Sequence, residues 1–296
     1  MKNLIAGFIK LFHFAFMRSS LLRTIRGRAV GCPRTYGWKK DVFDARDHVW
    51  TIPKHMRDAP LPPSVDWSQD PAMPPVYDQM HVGSCTGNSV GGADHYRQMK
   101  DNPNTAFQPS RLFLYWNGRD LDGDAGSDCG AQIRNVIRQA AYIGVCPESA
   151  APSPWPYEES QVLQKPDAGC FLEAGKHKVL SYESVSQDLT SIKTCLAAGY
   201  VICFGMQVYS QFQSEGCASD GIVEMPNWLD RLCGPLGGHA VLCVGYDDVS
   251  RQFIVRNSWS EKWGIKGYFR LPYAYMLSLK LVSDLWVIHS VEEPTA

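Results

Sequence analysis

The strongest constraint on this chain is a cysteine, a histidine and an asparagine set far apart in a fixed order. The cysteine lies in Asp78-Gln79-Met80-His81-Val82-Gly83-Ser84-Cys85-Thr86-Gly87-Asn88, where a Gly-Ser pair leads into a helix start and a glutamine stands six residues before Cys85. The histidine follows 154 residues later in Gly237-Gly238-His239-Ala240-Val241. The asparagine stands 18 beyond that in Asn257-Ser258-Trp259, which runs on to Trp263-Gly264 and Gly267-Tyr268. Thiol acyl transfer needs a sulfur, an imidazole and a group that orients the imidazole, so a fold that performs it must bring three distant segments together.

Each residue type suits one part of that chemistry. A thiol is a strong nucleophile only as thiolate, and Cys85 at a helix N-terminus would have its anion stabilised by unpaired backbone N–H groups and by a charged His239. The two groups would titrate as a unit. Asn257 can hydrogen-bond the far ring nitrogen without adding a second negative charge, and Trp259 can keep water from that bond. Attack on a carbonyl places charge on oxygen, for which the Gln79 side-chain amide and the Cys85 backbone N–H are natural donors. Singly, a buried cysteine is usually an inert small hydrophobe and a histidine on an apolar strand a hydrogen-bonded core residue. The conjunction carries the argument.

A length of 296 residues allows one large core or two smaller ones, and 45% hydrophobic with 20% charged content excludes global disorder. The net charge of -1 conceals a split: residues 1–57 hold 12 Lys/Arg and three Asp/Glu, or +9, leaving 17 and 27, or -10, for the remainder. A cationic arm on an acidic body suggests intramolecular docking or attachment to an anionic membrane surface. Its arginines fit no recognition motif, so no nucleic-acid partner is expected. Leu4–Ile9 and Leu11–Met17 are apolar but divided by Lys10, and four arginines follow between residues 18 and 28 without an Ala-x-Ala site. An atypical export signal and a surface-lying basic amphipathic segment both fit. Ten cysteines include no CxxC, and the Asp/Gly-rich loop of residues 120–129 lacks the last EF-hand glutamate, so neither metal nor cofactor is expected. Cysteine richness tilts the setting toward secreted, periplasmic or membrane-associated rather than cytoplasmic, with disulfides expected.

Along the chain, the aromatic and charged strip Thr35-Tyr36-Gly37-Trp38 to Arg46-Asp47 is expected to dock on something, either as an inhibitor over a cleft or as a tail on the outer surface. Pro60-Leu61-Pro62-Pro63 then forces an extended boundary. Helices are predicted from Ser84 or Cys85 to Met99, with the glycines at 87, 91 and 92 as points of close packing, and over 109–116, 131–141 and 188–198. Strands are predicted at 201–204, 240–246, 252–256, 267–271 and 285–288. The organisation expected is a leader over 1–60, a mainly helical domain over 61–170 carrying the cysteine, and a mainly β domain over 171–296 carrying the histidine and asparagine.

With these residues in place, the chain resembles the papain-like cysteine peptidases over about residues 60–296. The resemblance rests on Leu61-Pro62-Pro63-Ser64-Val65-Asp66-Trp67, on Val76-Tyr77-Asp78-Gln79 into Gly83-Ser84-Cys85, on Gly238-His239-Ala240-Val241, and most of all on Asn257-Ser258-Trp259 with Trp263-Gly264 and Gly267-Tyr268. It implies an α+β fold of two domains, a helical left one and an antiparallel β-barrel-like right one, with the cleft between them. It further implies Cys85 as nucleophile, His239 as acid/base, Asn257 as its orienter and Gln79 as oxyanion donor. Gly238, Ala240 and Trp259 would bind a peptide or protein substrate, and the small uncharged pair would favour an apolar side chain. Val82 and Thr86 depart from the pattern, where most members have a disulfide cysteine and a tryptophan. Cys233 lacks its usual partner, for which Cys217 is a local substitute. The short leader resembles that of a bacterial subgroup, and the charge split and proline hinge suggest that it holds the enzyme latent. Another Cys-His acyl transferase, or an inactive binding protein of the same fold, are the rival readings; the latter would predict a damaged Cys, His, Asn or Gln.

Overall fold

The computed structural model describes residues 35–150 and 152–291; the expectations placed on residues 1–34, including the basic amphipathic segment and Cys32, lie outside them. Nine strands occur among the described residues: β1 (Trp38–Lys39), β2 (Ser64–Asp66), β3 (Ala131–Gln132), β4 (Val179–Ser184), β5 (Ile202–Val208), β6 (Gly237–Asp247), β7 (Gln252–Arg256), β8 (Tyr268–Pro272) and β9 (Val282–Val291). The helices are α1 (Cys85–Asp101), α2 (Arg111–Asp120), α3 (Ile133–Tyr142), α4 (Ala168–Ala174), α5 (Leu189–Ala197), α6 (Glu215–Asp220), α7 (Trp228–Cys233) and α8 (Tyr273–Met276).

Helix α1 is buried on every side from Cys85 to Asp94, so it shows no single apolar stripe. It is wedged between α2 and the sheet. Against α2 a Cβ at Gly87 would lie 2.4 Å from the Arg111 carbonyl oxygen, so that contact exists only for glycine, whereas Gly91 and Gly92 have ordinary room. Against the sheet, the Ser89 hydroxyl donates to the Val241 carbonyl at 2.8 Å. Helix α2 starts two residues later than predicted because the Ser110 hydroxyl caps it, accepting from the Phe113 N–H at 3.1 Å. Helix α3 also starts two residues late, since Ala131 and Gln132 pair as a strand with Trp38 and Lys39.

The remaining seven strands form one antiparallel sheet in the order β4-β9-β5-β6-β7-β8, with β2 pairing on β6. This corrects the expected barrel: the sheet is open, since among the described strands β4 pairs only with β9 and β8 only with β7. Both edges are covered by other chain, which removes the need to close. The Trp50 N–H donates to the Ser184 carbonyl at 2.8 Å along β4, and the Val223 N–H donates to the Arg270 carbonyl at 3.0 Å along β8. One sheet face packs on α1, α2 and α3 through Ala240, Leu242, Val244 and Trp286. The other face buries Phe204, Val241, Phe253 and Val255 with Ile192 of α5 and Tyr275 of α8. The fold is α+β with two domains, and the segments that carry the sulfur and the imidazole meet where α1 begins against β6.

Candidate active site

The turn that precedes α1 is held from outside. The Gly83 N–H donates to both carboxylate oxygens of Asp128 at 3.1 and 3.0 Å, and the Tyr115 hydroxyl donates to the same carboxylate at 2.6 Å. Cys85 is the first residue of the helix and is wholly buried. The backbone N–H groups of Ala240, the residue after His239, and of Gly37 and Thr86 lie close enough to the sulfur to favour the anion. Burial outweighs them and pushes the thiol up to about 11, so in this covered state it is neutral near pH 7. Desolvation here exceeds the stabilisation of the thiolate expected from the helix terminus.

Register brings the other groups in. On β6 and β7, Leu242 pairs with Arg256, so the residue after β7 falls beside the start of β6. The His239 Nε2 and the Asn257 Oδ1 are 2.8 Å apart, both side chains buried. The Trp259 indole stacks on the imidazole with centroids 5.0 Å apart and planes at 26°, covering that bond. Gln79 is wholly buried, and the Ser258 hydroxyl donates to its Oε1 at 2.7 Å, which aims its Nε2 toward the cleft. There it donates to the Val82 carbonyl at 2.9 Å and to the Thr35 carbonyl at 3.1 Å. The four expected residues and Trp259 therefore converge.

The cleft is filled by the strip. After the Thr35 carbonyl on Gln79, the Gly37 N–H faces the sulfur, and the Gly37 carbonyl accepts from the Ala131 N–H at 2.8 Å. Tyr36 lies edge-on to His239 at 6.0 Å, with its hydroxyl accepting from Gln213 at 2.5 Å. The Trp38 indole lies flat on the sheet, where a Cβ at Gly205 or Gly238 would come within 1.9 or 2.5 Å of it. Its Nε1–H donates to Asp284 at 3.0 Å. Gly238 thus contacts the strip, while Ala240 contacts the sulfur through its backbone.

Residues 61–278 match the papain family cysteine proteases. The chain belongs to that family. It is 37% identical over 225 residues, 73% of this chain and 70% of the relative, to an uncharacterized peptidase C1-like protein of Acanthamoeba polyphaga mimivirus. It is 36% identical to xylellain, a cysteine protease from Xylella fastidiosa, whose structure aligns over 88% of this chain and 99% of that one with a TM-score of 0.77. The likeness drawn from the strip to a bacterial subgroup is matched by xylellain. Digestive procathepsin L 3 of Tenebrio molitor shares the fold at 22% identity, with a TM-score of 0.60 over 81% of this chain and 74% of that one. This papain-family chain is accordingly a peptide-bond hydrolase working through a cysteine–histidine pair and an acyl-enzyme.

Several supports of the peptidase site were not singled out from sequence. Ser258 lies inside the Asn-Ser-Trp motif, which was the signal that could have found it. The Tyr157 hydroxyl contacts the Ser84 hydroxyl at 2.6 Å and donates to the Gln79 carbonyl at 2.9 Å. Beneath it, Arg111 pairs with Glu148 at 2.7 Å, both nearly buried, and its guanidinium lies 3.9 Å from the Tyr157 ring centroid. Only a fold could reveal those contacts. The nine described cysteines are unbridged, Cys217 and Cys233 among them, and among the described residues no cluster suits a metal.

Proposed function

We propose that the chain is an endopeptidase in which Cys85 attacks the scissile carbonyl, His239 carries the proton to the departing amine, Asn257 holds the imidazole, and Gln79 with the Cys85 N–H stabilises the oxyanion. The observation that carries this is the Gln79 Nε2 bound to a peptide carbonyl beside the sulfur, the contact a substrate would need. Attack forms the C–S bond and expels the amine with the histidine's proton; water, deprotonated by the same imidazole, then releases the acid and restores the thiol. Gly238 and Ala240 line the pocket beside the imidazole. Its acceptance of Trp38 supports a flat, largely apolar side chain there.

The described form is the latent one. Support comes from what lies over the sulfur, an N–H of Gly37 rather than a carbonyl, so the strip offers nothing to attack while it fills the substrate's place. The thiol also stays neutral until water returns to it. Residues 1–60 serve as prosegment, 61–170 as the mainly helical unit and 171–296 as the mainly β unit. An extracytoplasmic or membrane-associated setting is supported by the +9 charge of residues 1–57, and cell fractionation would test it. For the activity itself, a Gly37→Ala chain should release a fluorogenic amine from a peptidyl substrate and Gly37→Ala with Cys85→Ala should not; equal release by both would overturn the assignment.

A further inference from the structure

The two oxyanion donors come from different pieces of chain: the Gln79 side chain lies ahead of the turn, and the Cys85 N–H opens α1. One phenol touches both pieces. The Tyr157 hydroxyl donates to the Gln79 carbonyl at 2.9 Å and stands 2.6 Å from the Ser84 Oγ, and Ser84 supplies the carbonyl half of the peptide that bears the Cys85 N–H. The direction of each bond is fixed. A carbonyl only accepts, so the phenol's single proton goes to Gln79 and the Ser84 hydroxyl must donate to the phenol oxygen. The Ser84 Oγ accepts in turn from the Asn88 Nδ2 at 3.0 Å, and the Asn88 Oδ1 accepts from the Arg111 guanidinium at 3.0 Å. The Asn88 amide cannot be turned round, because its nitrogen also donates to the Ser84 carbonyl at 2.9 Å and a guanidinium has no acceptor.

Donors therefore run one way, from Arg111 through Asn88, Ser84 and Tyr157 to the Gln79 carbonyl. Gln79, Ser84, Asn88 and Arg111 are all buried, where aligned bonds that start at a cation polarise and strengthen one another. The same guanidinium donates to the Asp78 carbonyl at 3.0 Å, next to Gln79, and is balanced by Glu148 at 2.7 and 2.8 Å. Ser258 holds the far end of the Gln79 side chain, so this donor is gripped at its backbone and at its amide.

We propose that Tyr157 is a positioning residue for the oxyanion: its hydroxyl sets the spacing of the two donors, held from behind by the chain that begins at Arg111. This role rests on the reading of Gln79 and the Cys85 N–H as those donors. The carbonyl oxygen gains its charge only on the way to the tetrahedral intermediate, so misplaced donors leave binding intact and slow the reaction. With a peptidyl amide the loss falls on kcat rather than KM.

The full-length chain tests this, with each rate divided by the rate at which iodoacetamide alkylates Cys85, located by peptide mapping. Alkylation needs the same open cleft and the same sulfur but forms no oxyanion. Tyr157→Phe keeps the ring over Arg111 and should lower kcat about tenfold with KM within about twofold. It should weaken binding of a peptidyl aldehyde, whose adduct with the sulfur places an oxygen between the same donors, by a similar factor and leave alkylation unchanged. Ser84→Ala should act in the same direction, and the double variant should cost less than the product of the two single losses; Ser84→Ala also carries the test if Tyr157→Phe fails to fold. Tyr142→Phe, at an exposed tyrosine, should match wild type. Alkylation falling in step with hydrolysis would reduce Tyr157 to a structural residue and overturn the proposal. Gln79→Ala separates the two readings: a loss of about 100-fold there beside an unchanged Tyr157→Phe removes only the positioning role, whereas an unchanged Gln79→Ala removes both.

Discussion

Gly37→Ala is the perturbation that the geometry defines most sharply. A Cβ at this position would lie 1.6 Å from the Gly83 carbonyl oxygen and 2.4 Å from its carbon, about half the normal separation. The wall cannot retreat, because Gly83 is tied by two hydrogen bonds to Asp128 and forms the turn into α1. The strip must move instead, and it loses the Gly37 bond to Ala131 and the Thr35 bond to Gln79. Overpacking of this kind costs about 1–3 kcal/mol and each lost hydrogen bond about 1 kcal/mol. A total near 3 kcal/mol weakens seating roughly 100-fold. The assay is hydrolysis of a peptidyl amide together with the rate of Cys85 alkylation, at fixed pH on the full chain. Both rates should rise at least tenfold, toward that 100-fold bound. Phe43→Ala, whose ring is 91% exposed, should match wild type. A folded Gly37→Ala protein within twofold of wild type in both rates would refute the reasoning.

Other perturbations probe the supports. Ser258→Ala frees the Gln79 amide to turn and should lower kcat about tenfold or more in an open-cleft background, with Ser258→Thr restoring most of it; steady-state kinetics decide. Arg111→Ala strands a nearly buried Glu148 and should cost about 3–5 kcal/mol in denaturant unfolding, much more than an exposed pair such as Arg46–Asp44. Asp94 is buried in α1, where the Gln98 amide donates to it at 2.6 Å, and burial raises it to about 7. The fold then loses stability as pH rises from about 4 through 7, so Asp94→Asn should raise Tm by several degrees at pH 8 and by little at pH 4.

The chemistry of the chain was legible because it rests on residue types at fixed places. Cys85, His239, Asn257 and Gln79 read as a set, and the strand pairing that unites two of them involves segments whose apolar runs are plain in sequence. The strand Val179–Ser184 was not legible, since it is an edge with Leu180 exposed and no clean alternation. Closure of the sheet was misjudged for a related reason: whether two edges meet depends on which loops reach them, and no local pattern encodes that. Arg256 shows a third kind of gap. It reads as the end of a strand, yet it is wholly buried and donates to the carbonyls of Pro74 and Pro75, 182 and 181 residues away.

The claim beneath all of this is that one sulfur among ten does the work once the strip leaves. A thiol-directed peptidyl epoxide, applied to the Gly37→Ala chain and read by intact mass and peptide mapping, addresses it directly. One adduct on Cys85, absent from the Cys85→Ala form, with hydrolysis falling in step, is the predicted result. An adduct on another cysteine, or hydrolysis that survives full modification of Cys85, would contradict the account.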